Sequence, residues 1–61
     1  MKYSELIKIL ENAGCYIKRN GGNHDWYYSP KTQKSFPVGR HKSQEVTTGT
    51  LNSILTMAGL K

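Results

Sequence analysis

Apolar residues recur at Leu6, Ile7, Leu10 and Ala13. That spacing of three and four lays one stripe along a helix. Ser4 reads as its N-cap, Glu5 suits the first turn, and Gly14 is a natural stop. Beyond it the period changes to two. "CYIKR" and "HDWYYS" are short, aromatic and β-branched, so both read as strands. "NGGN" between them reads as a hairpin turn, because Asn and Gly tolerate positive φ. "PKTQK" is a polar turn and "SFPV" a third strand. Pro37 marks that strand as an edge or an irregular one, since proline donates nothing to a ladder. "GRHKSQEV" is a polar loop. Leu51, Ile54, Leu55 and Ala58 then form a second helical stripe, with Thr47 or Thr48 as cap and Gly59 as stop.

The order is α-β-β-β-α. Two amphipathic helices and a three-stranded antiparallel meander predict a two-layer α+β domain with both helices on one face of the sheet. The other face is then open to solvent or to a ligand. "ILENAG" at 9–14 and "ILTMAG" at 54–59 are alike, but the segments between them are not, so they are two solutions to one packing problem rather than a repeat. Alternation puts His24, Trp26 and Tyr28 on one face and Asp25 and Tyr27 on the other. It leaves open which face meets the helices, and a lone tryptophan serves a core as well as a ligand.

The length, 61 residues, allows one domain over 1–61 with a small core. One cysteine, Cys15, forms no internal disulfide, which fits a reducing compartment. No stretch has the apolar length of a signal peptide core or a membrane helix, so the chain reads as soluble and cytoplasmic, with no membrane partner. Charge placement adds more. Lys18, Arg19, Lys31, Lys34, Arg40 and Lys42 face Asp25 alone, so the window 18–42 carries the whole net charge of +5. Such a segment fits a polyanion, nucleic acid first, ahead of the competing reading of a solvated lysine surface.

His24 is the leading candidate for chemistry. An imidazole takes and gives protons near neutral pH. RNA carries its own nucleophile, the ribose 2′-OH, so cleaving it requires a base, cations on the phosphate and an in-line geometry. Gly21 and Gly22 let a backbone approach closely. Lys18 and Arg19 precede the turn as phosphate contacts, and Trp26, Tyr27 and Tyr28 follow as stacking surfaces. The competing reading is a surface histidine in a polar turn. His41, between Arg40 and Lys42, is a candidate general acid or phosphate contact, or a solvated loop residue. Cys15 reads as the start of a buried strand rather than a nucleophile. No CxxC or HxxxH spacing points to a metal, and no paired carboxylates point to glycosidase or metal-nuclease work.

Taken together, the glycine turn with its histidine (Gly21, Gly22, His24), the segment Val38 to His41, and Gly49-Thr50-Leu51 leading to Ile54-Leu55 and Ala58-Gly59-Leu60 resemble the HicA toxin family. The resemblance runs over essentially the whole chain. It implies a fold like the double-stranded-RNA-binding domain. It implies an mRNA interferase that acts without metal or cofactor, with His24 catalytic. Lys18, Arg19, Gly22, Asn23, Arg40, His41 and Lys42 would then bind RNA. It also implies a HicB antitoxin partner that covers the site, with promoter DNA bound only through that complex. Where many members read Gly-Ser-His, this chain has Gly22-Asn23-His24, so Asn23 takes the place of a serine hydroxyl. Gly39-Arg40 separates Val38 from His41, and Thr47-Thr48-Gly49 stands where Pro-x-Gly is common. The alternative is a non-catalytic RNA-binding module of the same fold.

Overall fold

The computed structural model describes residues 1–61. Helix α1 (Tyr3–Asn12) is followed by strands β1 (Tyr16–Asn20), β2 (His24–Ser29) and β3 (Lys34–Gly39), and then by helix α2 (Thr48–Ala58). The strands form one antiparallel sheet in the order β1-β2-β3, so β2 is central and the other two are edges. The α+β order read from the sequence is the order observed.

One core joins the layers. Leu6 and Leu10 of α1, Ile54 and Ala58 of α2, Tyr27 of β2, and Phe36 and Val38 of β3 are all buried, together with Cys15 and Val46. Tyr27 pairs with Phe36, and Asp25 with Val38. The odd positions of β2 and the even positions of β3 therefore turn to the helices. His24, Trp26 and Tyr28 point to the open face, which decides the question that alternation left unanswered. The helices centre on β2 and β3, so β1 overhangs. Ile17 pairs with Tyr27 on the helix side yet stays 48% exposed, and β1 is exposed throughout. The buried strand expected at Cys15 is thus corrected. Cys15 is buried, but it lies ahead of β1, in the helix stop.

Both helix ends follow from local chemistry. Gly14 takes φ +90°, and the Cys15 N–H donates to Leu10 O at 2.9 Å. Gly59 takes φ +81°, and the Leu60 N–H donates to Leu55 O at 2.8 Å. The carbonyls left at the end of α2 are met by the last residue of β2 and the turn after it. Ser29 Oγ, fully buried, donates to Ala58 O at 2.8 Å, and Thr32 Oγ1 donates to Met57 O at 2.6 Å. Thr47 caps the start of α2, its Oγ1 accepting from the Thr50 N–H. The first helix starts earlier than the Ser4 cap predicted. Lys2 is its N-cap, and the Lys2 N–H donates to Glu5 Oε1 at 3.0 Å, which draws the helix back to Tyr3.

The loop 40–47 is less free than its polarity suggests. It runs alongside the N-terminus, with Tyr3 N donating to Gln44 O, Ser4 N to Lys42 O and Val46 N to Met1 O. Val46 anchors it in the core. The Met1 ammonium also pairs with Glu45 at 3.0 Å.

Candidate functional site

The connection Gly21–Asn23 joins β1 to β2, and its hairpin bond runs from the Gly21 N–H to His24 O at 2.8 Å. Neither glycine has positive φ, so of the two reasons read from the sequence that one fails. Gly21 is required by space instead. A Cβ there would stand 2.6 Å from His24 O and 3.5 Å from the Trp26 ring. Gly22 meets nothing within 4 Å.

Arg40 fastens this turn from the end of β3. Its Nη2 donates to Gly21 O at 2.6 Å and to Asp25 Oδ1 at 2.7 Å. Its Nη1 donates to Gly22 O at 3.2 Å, and its Nε to Asp25 Oδ1 at 3.2 Å. Four of the five N–H groups of a guanidinium are thereby engaged. The Arg40 side chain is 45% exposed and that of Asp25 is 18% exposed, so the pair sits at the rim of the domain. The arrangement fixes the carbonyls of two successive peptides, Gly21–Gly22 and Gly22–Asn23. It also fixes the residue next to His24. The sequence reading gave Arg40 to phosphate and treated Asp25 only as a lone acid. The signal for the clamp was present: the single carboxylate of the basic window belongs with one of its cations.

His24 opens β2 opposite Gly39, on the open face, and is exposed. Gly39 is held close to α1, because a Cβ there would stand 2.9 Å from the Tyr3 ring. On the same face Arg19 pairs with Trp26, and its guanidinium lies 5.5 Å from the indole centroid. Tyr16 pairs with Tyr28, their rings 5.5 Å apart and tilted by 51°. The β1 register shifts between Ile17 and Arg19, which leaves Lys18 as the extra residue of a bulge. Its ammonium stands 5.2 Å from the Tyr28 ring. Lys18, Arg19, Trp26 and Ser35 line a hollow of about 420 Å³.

The fold thus sets His24 beside the turn of Gly22 and Asn23, with Arg19 and Trp26 farther along the face that His24 shares and Lys18 beyond them at Tyr28, while Arg40 reaches the turn carbonyls from the Asp25 side. His41 and Lys42 follow Arg40 but are exposed, and the bonds of their loop run to the N-terminus rather than to the turn. Tyr27 faces the core. Burial raises its phenol pKa above the ordinary tyrosine range, and the carboxylates of Glu11 and Asp25 add to the effect. No three His, Cys, Asp or Glu side chains gather as a metal site would require. No helix is long and apolar enough to cross a membrane.

No curated protein and no solved structure gives a significant match to the chain. The family model for the HicA toxin of bacterial toxin–antitoxin systems matches residues 3–60, which includes the glycine turn, His24, the sheet and both helices. That span is nearly the whole of a chain of 61 residues, and the chain belongs to the HicA toxin family.

Proposed function

We propose that this toxin is an endoribonuclease that cuts message, with His24 as its general base. The imidazole takes the proton of a ribose 2′-OH. The 2′-oxygen attacks the adjacent phosphorus, and the bond from phosphorus to the 5′-oxygen breaks. The products are a 2′,3′-cyclic phosphate and a 5′-hydroxyl, whose proton comes from His41 or from water. Lys18, Arg19 and Lys42 neutralise phosphate. Arg40, paired with Asp25, keeps the turn in shape through its bonds to Gly21 O and Gly22 O. Gly22 and Asn23 offer the backbone and an amide to the substrate. A positioned base contributes about 10² to 10⁴ in rate. Orientation at the clamped turn supplies the rest.

The observation that carries this reading is the place of His24. It is an exposed imidazole at the start of β2, next to a turn whose two glycine carbonyls accept from Arg40, on the sheet face that also carries Arg19, in a chain of this toxin family. A toxin of a toxin–antitoxin system has an antitoxin partner. We take that partner to be of the HicB type, covering the turn and the open face, with promoter DNA reached only through the complex.

Expression in a bacterial host under a tight inducer, with northern blots of several messages, tests the proposal. Wild type should arrest growth and fragment message. His24→Ala should do neither, while keeping its circular dichroism and its RNA affinity. If both proteins fragment message alike, His24 is not the base. If neither does so but both bind RNA, the domain is a binding module.

A further inference from the structure

The open face of the sheet carries more than the turn requires. A protein that only positioned a phosphate against His24 would need cations there. It would not need an indole and two phenols. Yet Trp26, Tyr28 and Tyr16 stand on this face, away from the core, and each of the first two is flanked by a cation of β1. Beside Trp26 the surface dips into the hollow lined by Lys18, Arg19, Trp26 and Ser35. Its volume, about 420 Å³, lies within the range of small-ligand sites, and its lining joins one aromatic ring to two cations and a hydroxyl.

We infer that this hollow is a subsite for one unpaired nucleobase of the RNA strand, stacked on Trp26 and the Arg19 guanidinium, with its phosphate on Lys18. Aromatic rings and the guanidinium plane are the surfaces on which splayed bases stack. The strand geometry says why the base is unpaired. Trp26 and Tyr28 are two residues apart on β2, a step of about 6.6 Å. Successive base pairs of a duplex are separated by only about 3.4 Å along each strand. Neighbouring bases reach the two rings only when the strand is extended and unstacked. The ring of Tyr28, with Lys18 over it, is then the place for the next base. The basic window supplies the complementary charge for such a strand. The helix-bearing face is not involved, so RNA lies across the opposite side of the sheet from the two helices. The inference rests on RNA being the ligand, but not on its being cut.

Trp26 is the only tryptophan of the chain, so its fluorescence reports the hollow directly. The His24→Ala protein, which removes the proposed base, would be titrated with single-stranded oligouridylate and oligoadenylate and with a blunt RNA duplex of the same length. The expected result is saturable quenching by the single strands and much weaker quenching by the duplex. Trp26→Leu should weaken single-strand binding by about fivefold to 150-fold, the range for one base stacked on an aromatic ring. Trp26→Phe, which keeps a ring, should restore most of it. The quenching arm needs no substitution at Trp26, so a Trp26→Leu variant that misfolds leaves the test intact. RNA binding without quenching, or equal quenching by duplex, overturns the subsite while leaving RNA as ligand. Quenching by polyglutamate and not by RNA overturns it in favour of an acidic protein segment. Quenching by single strands in a protein that never cuts message keeps the subsite and removes the nuclease.

Discussion

The sharpest test of the turn compares two adjacent glycines. Gly21→Ala places a methyl group 2.6 Å from His24 O, a backbone atom that cannot swing aside. Ordinary contacts of carbon with a carbonyl oxygen begin near about 3.3 Å, so a relaxed contact needs the two to separate by up to roughly 0.7 Å. The same oxygen accepts the Gly21 N–H at 2.8 Å. A shift of that size stretches the bond to the edge of hydrogen-bonding range. Forced overpacking costs about 1–3 kcal/mol and a lost hydrogen bond about 1 kcal/mol, so a loss of about 2–3 kcal/mol is expected. Against roughly 3–9 kcal/mol for a chain of this length, that is a large fraction. It corresponds to a melting temperature lowered by roughly 10–20 °C. Gly22→Ala meets nothing within 4 Å and has no positive φ to lose. It should be neutral, or stabilising by about 0.4–1 kcal/mol through the unfolded state. Urea melts followed by Trp26 fluorescence and circular dichroism measure both. If the two variants melt together, the close approach of Gly21 to His24 O is not what shapes this turn.

Two further outcomes follow from the same geometry. Arg40→Ala should cost about 1–2 kcal/mol, since it leaves Asp25, mostly buried, and two turn carbonyls without their donor. In the Asp25→Asn background the same change should cost less, and a double-mutant cycle on urea melts that shows no coupling would refute the clamp. Tyr27 has its pKa raised in the folded protein, so the fold favours the protonated phenol. Its contribution is fully present below about pH 10, the unfolded value, and is lost as pH rises through the higher folded value. Stability measured from pH 9 to 11.5 should therefore fall less steeply in Tyr27→Phe than in wild type.

The helices and strands were legible because each has one strong periodicity. Leu6 and Leu10, and then Ile54 and Ala58, repeat at helical spacing, and both stripes ended up in the core. The turn residues were legible in kind but not in cause. Gly21 was read both for positive φ and for the close approach of a backbone; it has no positive φ, and the backbone that comes close is the chain's own His24 carbonyl. Burial of β1 was misjudged because its composition resembles that of β2, and composition does not record how far the helices reach across a sheet. The membership of Trp26 in the open face was beyond the sequence for a related reason. Period two assigns residues to faces but does not say which face is covered, and only the burial of Phe36 opposite Tyr27 decides it. The contact of Arg40 with Asp25 spans fifteen positions, and the anchoring of the loop by Val46 against the N-terminus spans more. Neither has a local signature. Of the candidate site, the glycine turn, His24 and the flanking cations were visible as neighbours in the chain. Their common face, and the distance of His41 and Lys42 from any bond to the turn, depended on tertiary placement.

The bulge at Lys18 and the proline of β3 have one more consequence. A three-stranded sheet with one bare face has two open edges, and each is a template on which another chain can add a strand and start an aggregate. Here both edges are spoiled by different means. On β1 the extra residue breaks the regular ladder and puts a lysine and an arginine side by side. On β3 Pro37 withholds a donor in the middle of the strand. A domain of this length has little stability in reserve, and whenever it refolds its edges form in the presence of other copies. Strand addition between two such chains would bring like charges together on one side and leave an unmade hydrogen bond on the other. The same two features that make the strands irregular thus also work against sheet-to-sheet addition between copies.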